Sequence, residues 1–137
     1  MPPFRVLVVE DDPDMREGLV ILLEGKGCVV LAACDGSEGL RLARSKPPDV
    51  ITLDLEMPVM DGWTFRRLQQ GDSALADILV IVLSGCGARG VIDATAFFSK
   101  PCDFEALATS VAKHGREYRE EHRPTVGRPS VVLSAER

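Results

Sequence analysis

Residues 6–15 read VLVVEDDPDM, and these ten positions decide the fold. Val6, Leu7, Val8 and Val9 form an unbroken apolar run. Such a run suits a strand covered on both faces in a parallel sheet. It ends on Glu10, Asp11 and Asp12, with Asp14 just past Pro13. Carboxylates crowded at the end of a buried strand repel one another and lose hydration. Something at that strand end has to offset the cost.

Working outward, short β-rich runs alternate with helical patterns. The strand candidates are Arg5–Val9, Cys28–Ala33, Asp49–Leu53, Ile78–Leu83 and Ala94–Phe98. Helical spacing covers Asp14–Glu24, Ser37–Ser45, Gly62–Gln70 and Asp103–Tyr118. Asp35 or Ser37 can cap the second of these, and Pro47-Pro48 closes it. The alternation predicts an α/β fold with right-handed crossovers. Five strands fit a flavodoxin-like three-layer sandwich, a parallel sheet in the order 2-1-3-4-5. In that order the first and third strands are neighbours and ligands bind beyond their C-terminal ends. Residues after Val9 and after Leu53 therefore meet in one cleft. The pattern places one domain over residues 4–118. From Arg119 onward charge, prolines and a glycine break the periodicity, which reads as a mobile tail over residues 119–137, with a slightly longer last helix as the competing reading.

Composition narrows the function classes. The chain has 137 residues, room for one domain with a real core. Its net charge of −5 opposes a nucleic-acid footprint. No apolar run reaches membrane-spanning length and the N-terminus lacks signal-peptide character, so no membrane association is expected and a cytoplasmic location is. The four cysteines, Cys28, Cys34, Cys86 and Cys102, form no C-x-x-C pair. Reduced thiols in or near the core are expected, not a zinc site or a disulfide framework.

Four strand ends deliver polar residues to the predicted cleft. Glu10 and Asp11 follow the first strand, Asp54 ends the third, Ser84 ends the fourth, and Lys100 follows the fifth. Three carboxylates suit a hard cation, and Mg²⁺ is bound by few protein ligands with several waters retained. A divalent charge also answers the cost of crowding. A central carboxylate, Asp54, can act as a nucleophile on a phosphoryl group. Lys100 and the cation would neutralise charge on the transferring oxygens, and the Ser84 hydroxyl would donate to one of them. Asp12 fits a helix cap and Asp14 a first-turn charge. Asp61-Gly62 reads as a turn and helix start, and Trp63 as packing close enough to report on the cleft.

At this point the sequence resembles the receiver domain of two-component response regulators, and in particular stand-alone chemotaxis-type receivers. The motifs that carry the resemblance are VLVVEDD, LDLEMPVMDG, VLSG and FFSKP, in the family's order, over roughly residues 4–117. The resemblance implies that Asp54 is the phosphoacceptor, that Glu10 and Asp11 are the acidic pair, and that Ser84 and Lys100 are the accessory hydroxyl and lysine. It implies a cis peptide between Lys100 and Pro101, an aromatic switch at Phe97 working with Ser84, and a metal contact through the backbone carbonyl of Glu56, whose side chain tunes phosphoryl lifetime. A histidine kinase or phosphotransfer protein would donate the phosphoryl group. With no effector domain following, output would be contact with a protein target or onward transfer of the phosphoryl group. The chain would not be an enzyme beyond catalysing its own phosphorylation and slow dephosphorylation.

One interval departs from the family pattern. Only the stretch GCGARGVIDATAFFS separates Ser84 from Lys100, with glycines at 85, 87 and 90. Each Gly lowers helix stability by ~1 kcal/mol relative to Ala. A crossover with its helix takes at least ~10–12 residues, more than Gly85 to Asp93 supplies. The fourth helix of such a fold is expected to be shortened or absent, and output through that face to be altered. Cys86 and Arg89 would then overhang the cleft.

Two other readings stand beside this one. A pseudo-receiver acting only as an interaction module would share the fold. A haloacid-dehalogenase-type phosphatase would share the aspartyl nucleophile, but it wants Asp-x-Asp where this chain has Asp54-Leu55-Glu56. A flavin module is excluded, because four acids after the first strand would repel its phosphate.

Overall fold

The computed structural model describes residues 3–85 and 92–122. Nine elements follow in chain order: β1 (Arg5–Val9), α1 (Pro13–Gly25), β2 (Val29–Ala33), α2 (Gly36–Ser45), β3 (Val50–Asp54), α3 (Gly62–Gln70), β4 (Leu79–Ser84), β5 (Ala96–Ser99) and α4 (Phe104–Glu121). The five strands form one sheet in the order β2-β1-β3-β4-β5, all pairs parallel. This is the flavodoxin-like arrangement that the sequence predicts.

Alternation along the strands builds two cores, one on each face. In β1, Leu7 and Val9 face the layer that holds Leu40 of α2 and Phe65 of α3. Val6 and Val8 face the opposite layer, with Leu19 and Leu23 of α1 and Leu107 and Val111 of α4. Apolar residues are therefore required at positions 6–9 of β1, where both faces are dry, while Arg5 at its start is only part-buried.

All four helices among the described residues are capped by an aspartate. Asp12, Asp35, Asp61 and Asp103 each accept backbone N–H bonds from the first turn. Asp12 is thereby the cap of α1, with Oδ1 2.9 Å from the Asp14 nitrogen. Such caps contribute about 1 kcal/mol each. Gly62 opens α3 against the end of β3. A Cβ there would lie 2.7 Å from Leu55 Cα and 2.8 Å from the Asp54 carbonyl oxygen. Only glycine allows α3 to approach the site strand this closely.

Between β4 and β5 no helix occurs among the described residues, as the short interval predicts. Side chains of α3 hold the described segment that leads into β5. Arg66 Nε donates to the Asp93 carbonyl at 2.8 Å, and Nη1 donates to Gln69 Oε1 at 2.7 Å. Gln69 is fully buried, and its Nε2 donates to the carbonyls of Leu75 and Ile78. Cys86 and Arg89 lie outside the described residues.

Two boundaries differ from the sequence reading. β5 begins at Ala96 rather than Ala94, and runs to Ser99. The Thr95 N–H bonds the Val80 carbonyl at 2.8 Å, and the paired register begins with Ala96 opposite Ile81. The last helix continues to Glu121, so a domain edge at residue 118 would cut through it. Arg119 Nη1 lies 3.5 Å from Asp49 Oδ1, and the Tyr118 and His122 rings stack at 3.9 Å. These contacts carry the helix into the span first read as tail. The remainder of that span, from residue 123, lies outside the described residues.

Candidate functional site

The C-terminal ends of β1, β3 and β4 and the segment after β5 converge on one cleft. β1 leads into Glu10, which is 1% exposed, and Asp11 sits at the rim. β3 ends on Asp54, also 1% exposed. β4 ends on Ser84, which is buried. Lys100 follows β5 and is part-exposed, its backbone N–H held by the Ser84 carbonyl at 2.9 Å. The Lys100–Pro101 peptide is cis. All five chemistry-bearing residues singled out in the sequence thus reach one place.

The carboxylates are close enough to share an ion. Ligand atoms of Glu10, Asp11 and Asp54 lie within 4.8 Å of one another. Lys100 Nζ stands 3.0 Å from Asp54 Oδ2 and 3.5 Å from Glu10 Oε1. Both of those oxygens are buried and accept no aligned hydrogen bond among the described residues. One ammonium thus faces two carboxylates that are cut off from water. The other oxygens are satisfied: Asp54 Oδ1 accepts the Glu56 N–H at 3.1 Å, and Glu10 Oε2 accepts the Asp12 N–H at 3.1 Å.

Burial dominates the acid–base behaviour. It pushes the Glu10 carboxyl up to about 8, against the Asp12 N–H that favours its charged form, with the neighbouring Asp54 charge raising it further. Burial also raises Asp54, opposed chiefly by Lys100. For Lys100 burial works downward, but the pairs with Asp54 and Glu10 outweigh it and hold the ammonium above its ordinary value. Without a cation the cluster therefore favours an extra proton, as expected where carboxylates share a dry site. Two under-coordinated buried carboxylate oxygens and a third acid at the rim fit a hard divalent ion such as Mg²⁺.

Arg16, which no motif singles out, supports the acidic pair, and the remaining residues fall into place. Arg16 Nη1 donates to the carbonyls of Glu10 and Asp11, fixing the backbone that presents them. Asp14 is exposed on the first turn of α1. Phe97 is half-buried against the α2–α3 core, as is Trp63. Among the described cysteines, Cys28, Cys34 and Cys102 are free thiols.

One feature of the cleft escapes a sequence reading. The Glu56 side chain folds over the end of β4. Ser84 Oγ donates to Glu56 Oε2 at 2.8 Å, and the Gly85 N–H donates to Glu56 Oε1 at 2.9 Å. The partners are 28 and 29 residues apart, so no local spacing announces them.

Comparison with known proteins agrees with this geometry. Residues 6–112 match the model of the response regulator receiver domain family. The chain is 33% identical over 139 residues to the DNA-binding dual master transcriptional regulator RpaA of a Synechocystis species, covering 95% of this chain and 56% of RpaA. It is 33% identical over 116 residues to protein PilH of Pseudomonas aeruginosa, covering 78% of this chain and 93% of PilH. The chain spans only 24% and 33% of two further curated relatives it matches. Among solved structures, the Vibrio cholerae chemotaxis protein CheY4 superimposes with a TM-score of 0.74 at 28% identity, covering 82% of this chain and 98% of that one.

Proposed function

The chain belongs to the family of response regulator receiver domains of two-component signal transduction, and from that premise we propose that Asp54 is its phosphoacceptor. The observation that carries this is the setting of Asp54. Its carboxylate is buried at the end of the central strand, with an ammonium at 3.0 Å and two further acids beside it. Asp54 attacks the phosphorus of a donor, whose bond to its leaving group breaks as the acyl phosphate forms. Water later attacks the same phosphorus, which frees inorganic phosphate and restores the carboxylate.

The chain's own groups have distinct tasks. Lys100 neutralises charge on the transferring oxygens, in a setting where desolvation strengthens the effect. The Glu56 N–H fixes the orientation of the Asp54 carboxylate. Ser84 and the Gly85 N–H supply hydrogen bonds to phosphoryl oxygens. Glu10, Asp11 and Asp54, with the backbone carbonyl of Glu56, would hold Mg²⁺, which lowers the repulsion between nucleophile and phosphoryl group. Phe97, beside Ser84 in the β4–β5 register by two positions, is the aromatic that senses the change.

A histidine kinase or phosphotransfer protein is the donor in this reading, and a protein target or a further relay partner the recipient of the signal. A cytoplasmic setting goes with it. No helix of the described residues is long and apolar enough to cross a membrane. The test is direct. Incubation with Mg²⁺ and acetyl phosphate, followed by intact mass measurement, should give a single phosphoryl adduct that Asp54→Asn abolishes. Absence of an adduct with every donor would leave a pure interaction module as the better reading.

A further inference from the structure

We propose that the Glu56 carboxylate is a resident anion in the phosphoryl-oxygen hole, and that it must leave before Asp54 can be phosphorylated; this rests on Asp54 being the acceptor. Asp54 pairs with Leu83 in the β3–β4 register, so the next residues, Ser84 and Gly85, lie just beyond the acceptor strand. They offer two donors, a hydroxyl and a backbone N–H. In this structure the donors are taken, one by each oxygen of the Glu56 carboxylate, at 2.8 and 2.9 Å. A two-oxygen anion bridging a hydroxyl and an N–H is the arrangement that a phosphoryl group would require. The hole is therefore demonstrably suited to an anion, and one supplied by the chain fills it.

Two costs follow for an incoming phosphoryl group. It must break hydrogen bonds to a charged acceptor, which are stronger than neutral ones. It must also approach past a carboxylate of like sign, a repulsion that weakens with added salt. Glu56 is exposed, so it can swing into solvent without disturbing the core. It also returns once the phosphoryl group is hydrolysed. The device sets a threshold for phosphorylation, so weak small-molecule donors are handicapped relative to a bound partner protein that contributes binding energy.

The experiment measures adduct formation from acetyl phosphate at saturating Mg²⁺ in the wild type, Glu56→Gln and Glu56→Ala. Glu56→Ala should react roughly tenfold faster, the equivalent of about one charge-assisted hydrogen bond no longer broken. Glu56→Gln, which keeps an acceptor without the charge, should fall between. In a Ser84→Ala background the gain from Glu56→Ala should shrink, because one of the two donors it frees is gone. If instead Glu56 merely props the Ser84 loop in place, Glu56→Ala reacts more slowly than wild type, and that result overturns the proposal. An equal rate, or a gain undiminished in the Ser84→Ala background, overturns it too. Failure of the Asp54 reading looks different: no adduct in any variant, or an adduct that survives Asp54→Asn, and either result removes this inference with it.

Discussion

Lys100 Nζ lies 3.0 Å from Asp54 Oδ2, although Lys100 follows β5, Asp54 ends β3, and β4 runs between those strands. The lysine thus bridges the sheet ends, and Arg66 of α3 holds the segment that leads into β5 through the Asp93 carbonyl.

Replacing Lys100 by Met removes the ammonium and leaves two buried acids facing each other. Adduct formation from acetyl phosphate should slow by roughly tenfold to a hundredfold. Lys100→Arg should recover only part of the rate, because a planar guanidinium does not reproduce a compact point charge. Intact mass against time measures both, and an unchanged rate in Lys100→Met would remove the lysine from the chemistry.

Glu10 makes stability depend on pH in a definite direction. Its folded pKa of about 8 lies above the model-compound value of 4.5, so the folded state binds the proton more tightly. Below 4.5 both states are protonated and there is no penalty. As pH rises from there to about 8, the unfolded chain gains charge that the folded site resists, and stability falls. The melting point of the metal-free protein should therefore drop as pH rises from 4.5 to about 8 and level off above that. Saturating Mg²⁺ should flatten the slope and raise the melting point, the added stability being about 2.7 kcal/mol at a hundredfold excess over its dissociation constant. A melting point that ignores both pH and Mg²⁺ would contradict the assigned cluster.

Gly62→Ala forces a methyl group against Leu55 Cα and the Asp54 carbonyl, neither of which can yield cheaply. A loss of about 1–3 kcal/mol is expected from urea denaturation. The control is Gly25→Ala, where nothing lies within 4 Å of the added carbon, and it should be neutral or stabilising.

Arg66→Ala removes the donor to the Asp93 carbonyl and the donor to Gln69 Oε1 together. Leaving the buried Gln69 oxygen without that bond should cost about 1–3 kcal/mol. Lys cannot serve both acceptors with the same fork, so Arg66→Lys should recover little of it. A denaturant midpoint within error of wild type would show that the returning segment is held elsewhere.

Much of this architecture was legible in the sequence. β1 matches its reading in full, and β2, β3 and β4 fall within one residue of theirs. Unbroken Val/Ile/Leu runs leave little room for another period. Asp12 was separable from Glu10 and Asp11 because a cap position has its own chemistry, and Oδ1 of Asp12 serves α1 as that chemistry requires. β5 is offset by two residues at its start and one at its end from the sequence reading, and the contact of Arg66 with Asp93 just before it, 27 residues apart, is one that no local pattern encodes. At the other end of the chain the longer of the two readings of α4 holds: it runs to Glu121, and Arg119 there meets Asp49, 70 residues earlier. For Glu56 the family resemblance implies a metal contact through the backbone carbonyl and a side chain that tunes phosphoryl lifetime, but that side chain's occupation of the Ser84 and Gly85 donors is visible only in three dimensions.

The sheet order has a further consequence, in the hierarchy of local opening. β1 and β3 have a neighbour on both sides, whereas β5 is an edge strand joined to β4 through four residue pairs. Amide exchange at an edge needs only partial opening, while the central strands exchange closer to global unfolding. The acids of the cleft are therefore mounted on the slow-exchanging interior, and their lysine on the margin that frays first. The positive and negative halves of the site come apart before the domain does.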